Sequence, residues 1–151
     1  MCRRRMELFG FGPHLMIEGM QANESRLDDL EFIRDVLNHM PLELDMNVVL
    51  EPHVSRIDGL TAQDSGITAV VIVKESHISL HTFPAKGFVS VDIFSAQEFD
   101  VQKAVDFVVE RFEVGRFETH LINRGREFPK DPLEIDRIVR GEREYLEARL
   151  G

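Results

Sequence analysis

Residues 74–96 read KESHISLHTFPAKGFVSVDIFSA, and this stretch decides the class of fold. Ser76–Phe83 and Gly87–Ser95 alternate apolar with polar residues, which is typical of strands that bury one face. Because only Pro84-Ala85-Lys86 separates them, the two strands are predicted to form a β-hairpin. The β-branched, almost wholly apolar segment Ile67–Val73 predicts a buried strand just before them. Three successive strands indicate an antiparallel sheet.

The first strand of the hairpin has two chemically different faces. Residues two apart on a strand share a face, so Ile78 and Leu80 point to one side. His77, Ser79 and His81 then point to the other side. The sheet is therefore predicted to have one core face and one polar face.

The remaining elements follow from hydrophobic periodicity and from turn-forming residues. Strands are expected at His14–Met20, Met46–Val54 and Arg116–Asn123, helices at Asn23–His39, Phe99–Phe112 and Pro132–Leu150, and a loop at Ser55–Gly66. Since strands mostly neighbour strands along the chain, this order predicts an α/β two-layer sandwich, with a mostly antiparallel sheet and helices on one face.

Length and composition exclude several classes of protein. A chain of 151 residues is expected to form a single domain, residues 1–151, because domains average about 150 residues. A net charge of -9 argues against a general nucleic-acid surface, and the basic cluster Arg3–Arg5 is expected to be a solvated terminus. Cys2 is the only cysteine, which excludes an intramolecular disulfide and a cysteine-based zinc cluster. With no long apolar run, we expect a cytoplasmic enzyme or binding protein and no membrane contact.

The polar strand face suggests four interpretations, of which strand geometry excludes one. It can be an ordinary solvated face. A zinc site shared by His77 and His81 is excluded, because residues four apart on a strand lie roughly 13 Å apart. A serine hydrolase lacks support, since the sequence around Ser76 is VKESH rather than G-x-S-x-G. Alternatively, Ser76, which follows the acidic Glu75, can attack its own preceding carbonyl and break the chain, which would leave a pyruvoyl group.

The same stretch resembles a known family. Glu75-Ser76-His77-Ile78-Ser79-Leu80-His81-Thr82-Phe83-Pro84, with Gly87-Phe88 and Val91-Asp92-Ile93-Phe94, is similar to the self-processing S-adenosylmethionine decarboxylases of bacteria and archaea. Weaker similarity includes Gly12-Pro13-His14-Leu15, Gly66-Ile67-Thr68 and Arg124-Gly125. The resemblance covers about residues 12–126 and leaves out a helical extension at about residues 131–150.

The resemblance implies a mechanism and an assembly. The chain would be cut between Glu75 and Ser76 into a β chain, residues 1–75, and an α chain, residues 76–151. Ser76 would become a covalent pyruvoyl group that forms a Schiff base with a substrate amine and needs no metal. His81, and Thr68 in place of a family serine, would assist the processing. The family also implies a homodimer or higher homo-oligomer, an α/β sandwich and a role in polyamine biosynthesis.

Three positions depart from the family pattern. Ala96 stands where the family has the cysteine that protonates the substrate carbon, and Ala85 replaces the glutamate that holds the ribose hydroxyls. Ala62-Gln63-Asp64-Ser65-Gly66 replaces a segment whose aromatic ring stacks on adenine. The substitutions remove contacts to a nucleoside but leave the residues of self-cleavage in place.

These departures lead to a hypothesis about the substrate. We expect a decarboxylase for a small amino acid such as arginine or ornithine, with Asp64 meeting the cationic side chain. Ser95, Ser90 or a bound water would then replace the lost proton donor. One alternative is decarboxylation of S-adenosylmethionine through relocated contacts. Another is a non-catalytic paralogue or partner subunit, which would remain uncut.

Overall fold

The structure, a computed structural model, describes residues 11–125 and 131–150. Cys2 and the Arg3–Arg5 cluster lie outside the described residues. The strands are β1 (Pro13–Met20), β2 (Val48–Ile57), β3 (Gly66–Val73), β4 (Ser76–Phe83), β5 (Phe88–Ser95) and β6 (Arg116–Asn123). The helices are α1 (Glu24–Leu27), α2 (Leu30–Glu43), α3 (Val101–Phe112) and α4 (Pro132–Leu150).

The strands form a sheet in the order β2-β3-β4-β5-β1-β6, and every neighbouring pair is antiparallel. Apolar side chains of α2 and α3 join the buried side chains of the sheet in a common core. The two-layer α/β fold predicted from the sequence is therefore confirmed. Among the described residues, none of the helices combines the length and apolar character needed to cross a membrane.

The predicted hairpin is present and has a regular register. Ser76 lies opposite Ser95 at one end, and Phe83 lies opposite Phe88 at the other. The connection Pro84–Lys86 is one turn of 3-10 helix, and Gly87 ends it with a φ of 59°. Glycine reaches this left-handed conformation without a steric cost, so it closes the turn and starts β5.

The single helix predicted at Asn23–His39 is wrong, because the structure contains two. Asn23 caps α1, as its capping signal indicated, by accepting a hydrogen bond from the Arg26 N–H at 3.2 Å. The second helix, α2, begins after Asp29, whose carboxylate accepts hydrogen bonds from the N–H groups of Glu31 and Phe32. A side chain that caps a helix competes with continuing the previous one, so the aspartate divides the helix.

The loop predicted at Ser55–Gly66 is also partly wrong. Strand β2 continues to Ile57, with Ser55 opposite Thr68 and Ile57 opposite Gly66. The prediction failed because this part of the strand lies near solvent, where polar side chains do not destabilise a strand. Only residues 58–65 leave the sheet, and they include a 3-10 turn at Ala62–Asp64.

The sheet has the two faces that the alternation predicted. The helices cover one face, where Ile78 and Leu80 are fully buried. His77, Ser79 and His81 lie on the other face, which we call the open face because no described helix covers it. The open face therefore carries the polar residues of the opening stretch.

Thr82 links the two layers. Its side chain is buried, and its Oγ1 accepts a hydrogen bond from the Ile67 N–H at 3.0 Å and donates one to the Leu27 carbonyl at 2.7 Å. One hydroxyl thus satisfies a donor of β3 and an acceptor of α1, which fixes the helix above the sheet.

We expect Thr82→Val to lower the free energy of unfolding by about 2 kcal/mol, because valine keeps the shape but leaves buried backbone groups without a partner. Urea unfolding followed by circular dichroism measures the change. Thr119→Val, at an exposed position of β6, is the matched control and should change stability by less than about 0.5 kcal/mol. Equal effects of the two substitutions would contradict the role of the Thr82 hydroxyl.

Candidate active site

Ser76 is the first residue of β4 and follows the tight turn that leaves β3. The Lys74 N–H in this turn donates a hydrogen bond at 2.7 Å to the carbonyl of Asn47, the residue before β2. The Ser76 hydroxyl is half-buried and lies 3.0 Å from Nδ1 of His77. The predicted pyruvoyl precursor therefore starts a strand and has an imidazole beside its hydroxyl.

Glu75 is held at both its side chain and its carbonyl. The residue is 4% exposed, and its carboxylate accepts hydrogen bonds from the N–H of Asn47 at 3.0 Å and from Nδ2 of Asn47 at 2.7 Å. Its backbone carbonyl accepts a hydrogen bond from the Ala96 N–H at 2.8 Å. The peptide group between Glu75 and Ser76 is thereby fixed and polarised.

This arrangement suits an acyl transfer within the chain. A serine hydroxyl becomes a nucleophile when a base accepts its proton. An N–H directed at a carbonyl oxygen stabilises the negative charge that develops when the carbonyl is attacked. The imidazole at Ser76 and the Ala96 N–H at Glu75 supply these two elements, so the residues present fit the formation of a pyruvoyl group at Ser76.

Ser95, the predicted substitute proton donor, lies directly opposite Ser76 across the β4–β5 pair. It is buried, and its hydroxyl oxygen accepts a hydrogen bond from the Gln97 N–H at 3.0 Å. Ser95 and Glu75 both line a cavity of about 340 Å³. Ser95 therefore lies at the same end of the hairpin as Ser76, and its role as a proton donor stays a prediction.

The cavity beside Glu75 is rich in carboxylates. Among the residues that the structure describes, one basic side chain lines it, that of Lys103, whose Nζ lies 3.7 Å from Oε2 of Glu43. The other acidic side chains in its lining belong to Asp45, Glu98 and Asp100. Such a lining favours cationic over anionic small molecules.

The predicted processing residues His81 and Thr68 contact each other. Nδ1 of His81 lies 3.0 Å from Oγ1 of Thr68, and the two residues are opposite each other in the β3–β4 pair. His81 is five residues along β4 from Ser76, a separation of roughly 16 Å at the rise of a strand. Within one chain the structure does not bring His81 to Ser76.

Asp64 and Ala85 lie at the opposite end of the sheet from Ser76. The Asp64 carboxylate accepts a hydrogen bond from Oγ1 of Thr61 at 2.9 Å and is exposed. Ala85 lines a second cavity that does not include Asp64. The expected approach of Asp64 to a substrate at Ser76 is therefore not made within one chain.

The charged residues lining this second cavity are Glu24, Asp28, Asp58 and Arg56, of which Asp28 and Arg56 form an ion pair.

Aromatic and basic side chains surround the Ser76 end of the open face. Nε2 of His14 lies 3.1 Å from Oδ1 of Asp92, which joins β1 to β5 on this face. The Phe94 ring lies between His14 and His77, with ring centroids 5.8 and 5.9 Å away. The guanidinium carbon of Arg124 lies 4.0 Å from the centroid of the same ring. These contacts fix the side chains next to Ser76.

Sequence reasoning missed three contributions to the site. It assigned His77 only to a polar face, treated Ala96 only as a lost side chain, and did not consider Asn47. The register of the hairpin could have revealed Ala96, because the residue after Ser95 must approach the residue before Ser76. Asn47 contacts Glu75 because the start of β2 lies next to the turn after β3. The sequence carries no signal for that proximity.

Among residues 11–125 and 131–150, no group of three or more histidine, cysteine, aspartate or glutamate side chains could hold a metal ion.

Comparison with known proteins assigns the family. The family model described as S-adenosylmethionine decarboxylase matches residues 13–125. The S-adenosylmethionine decarboxylase proenzyme of Pyrococcus abyssi is 32% identical over 117 residues, which cover 77% of this chain and 80% of the relative. The S-adenosylmethionine decarboxylase proenzyme 2 of Bacillus cereus is 28% identical over 121 residues, covering 80% and 94%.

A solved structure shares the fold. The crystal structure of the adenosylmethionine decarboxylase from Aquifex aeolicus matches with a TM-score of 0.66 at 23% identity, covering 80% of this chain and 95% of that one. The matched family segment contains Ser76, its neighbours and the six strands of the sheet. The chain therefore belongs to the S-adenosylmethionine decarboxylase family, a family of pyruvoyl-dependent decarboxylases.

Proposed function

We propose that this protein is a cytoplasmic proenzyme that cleaves itself between Glu75 and Ser76 and then decarboxylates a small cationic amino acid. The observation that carries the proposal is the 2.8 Å hydrogen bond from the Ala96 N–H to the Glu75 carbonyl oxygen. It polarises the carbonyl that the Ser76 hydroxyl must attack. Cleavage here yields residues 1–75 and an α chain that begins with the group derived from Ser76.

A pyruvoyl group supplies an electron-accepting carbonyl, which takes up the electrons left when a substrate carboxylate departs as CO₂. The chain supplies the surroundings of that group. Asn47 and the Ala96 N–H hold Glu75 on one side of the pyruvoyl position. Ser95 lies opposite that position on the neighbouring strand β5. The Ser95 hydroxyl is the proton donor for the substrate carbon in this proposal, because the alanine at position 96 carries no acid.

Arginine or ornithine is the proposed substrate. Both amino acids carry a positively charged side chain in addition to the α-amino group. The two cavities, one at each end of the sheet, are each lined by more acidic than basic side chains. Ala85, in the lining of the second cavity, cannot accept a hydrogen bond from ribose hydroxyls. A nucleoside would leave those hydroxyls unpaired on binding, at a cost in affinity.

S-adenosylmethionine is the second candidate. The relative from Pyrococcus abyssi, 32% identical to this chain, is named for decarboxylation of this compound. Its sulfonium and ammonium groups are also cationic, so the same acidic linings suit it. Either substrate would give an amine of the kind that polyamine biosynthesis uses.

The active enzyme is proposed to be a homodimer that joins the open faces of two sheets. The open face carries apolar side chains with large exposed fractions, 61% for Leu50, 37% for Ile72 and 52% for Ile122. A second copy that runs in the opposite direction would bury them and would bring the partner's His81 towards Ser76. This geometry would supply the processing histidine that one chain holds roughly 16 Å away.

Purified protein should give two fragments that meet at Ser76 when its intact mass is measured, since the proposed cleavage needs no other protein. Ser76→Ala should remain one chain of 17.4 kDa, because alanine has no hydroxyl to attack the Glu75 carbonyl. Ser79→Ala, on the same strand, is the control and should be cut normally. An uncut wild-type chain would support the non-catalytic paralogue instead.

The substrate is tested by incubating the cut protein with arginine, ornithine, lysine or S-adenosylmethionine and measuring released CO₂. We expect release from arginine or ornithine to exceed release from S-adenosylmethionine at least tenfold. Ser95→Ala should reduce the turnover of the preferred substrate about 100-fold or more without blocking cleavage, as expected for loss of a general acid. Release from S-adenosylmethionine alone would reverse the order of the two candidates.

The homodimer is tested by expressing Ser76→Ala and His81→Ala chains together, with tags of different mass. Each variant alone should remain uncut. In the mixture the His81→Ala chain should be cut, because the Ser76→Ala partner supplies an intact His81. Failure of the mixture to cut, or a monomeric mass of the wild type in light scattering, would refute the shared site.

A further inference from the structure

Ser76 and His77 make a contact that the strand pattern does not predict. Consecutive residues of a strand point to opposite faces, yet Oγ of Ser76 lies 3.0 Å from Nδ1 of His77. Ser76 is the first residue of β4, directly after the turn, so its side chain can reach the ring of its neighbour. When the imidazole proton is on Nε2, Nδ1 accepts a hydrogen bond from the Ser76 hydroxyl.

The His77 ring is held in place from the neighbouring strand. It lies opposite Phe94 in the β4–β5 pair and contacts the edge of that ring, with centroids 5.9 Å apart. Phe94 is itself buried and lies beneath the Arg124 guanidinium. The orientation of the imidazole towards Ser76 is therefore fixed by packing.

Other candidate bases are engaged elsewhere. The Glu75 carboxylate accepts two hydrogen bonds from Asn47. Within one chain, His81 contacts Thr68 and lies roughly 16 Å along the strand, and the partner's His81 in the proposed homodimer is assigned to the processing steps after the ester has formed. Among the described residues of this chain, His77 is the basic side chain with a hydrogen bond to the Ser76 hydroxyl.

We propose that His77 is the general base and acid of the first step of self-cleavage, an inference that rests on the proposed function. Oγ of Ser76 attacks the Glu75 carbonyl carbon while its proton passes to Nδ1 of His77, and the Ala96 N–H stabilises the oxygen that gains charge. The bond from that carbon to the Ser76 nitrogen then breaks, and the proton moves from His77 to the departing nitrogen. The amide and hydroxyl become an ester and an amine, with no change of redox state.

The experiment follows freshly translated full-length chains on a denaturing gel. The full-length His77→Ala chain should disappear at a rate about 100-fold or more below that of the wild type, which is the usual effect of removing a general base. His77→Gln should be equally slow, because glutamine keeps a hydrogen-bonding side chain but accepts no proton. His53→Ala is the control, since Nε2 of His53 also lies 3.1 Å from a serine hydroxyl, that of Ser55, but far from Ser76.

Hydroxylamine identifies the step, because it cleaves an ester at Ser76 but not the original amide. The His77 variants should give no hydroxylamine-dependent fragments, since they do not form the ester. Rapid hydroxylamine cleavage of either variant would place His77 after the first step and overturn the proposal. Wild-type rates in His77→Gln would show that a hydrogen bond suffices, and would also overturn it.

The same experiment separates the two proposals. A wild-type chain that remains uncut overturns self-cleavage and the role of His77 together. A cut wild type, with His77→Ala cut at the same rate, overturns only the role of His77.

Discussion

The antiparallel pairing of β4 with β5 sets the geometry around Ser76. It places Ser95 opposite Ser76 and directs the Ala96 N–H at the Glu75 carbonyl. Because residues in a strand pair are fixed by backbone hydrogen bonds, a shift by one position would turn every side chain to the other face. The relative positions of Ser76, Ser95 and the Ala96 N–H therefore depend on the register of this hairpin.

The sequence was a good guide to regular elements and a poor guide to contacts between them. Alternation predicted both faces of β4, since burial of Ile78 and Leu80 needs a period of two. It could not predict that Asp29 would restart a helix or that polar residues would extend β2 to Ile57, because capping and edge pairing are decided locally. Ala96 shows the same limit at the site: its side chain carries no chemistry, but its backbone N–H does, and residue identity does not reveal this.

The family assignment and the departures at Ala85 and Ala96 concern different parts of the chemistry. Family membership rests on the matched segment 13–125, which contains the elements that build the Glu75–Ser76 region. The two alanines lie at opposite ends of the sheet, one beside Ser95 and one in the turn before Gly87. Substitutions at these two positions leave the β4–β5 pairing around Glu75 and Ser76 unchanged.

The strand order has a consequence for the state of the protein after a cut at Glu75–Ser76. Residues 1–75 contribute β1, β2 and β3, and residues 76–151 contribute β4, β5 and β6. In the sheet, β1 is inserted between β5 and β6, while β3 remains paired with β4. The two pieces are interleaved by three antiparallel ladders, so the cut would open a covalent bond without freeing either fragment. Folding would precede such a cut, because the Ala96 N–H reaches the Glu75 carbonyl only after β4 and β5 have paired.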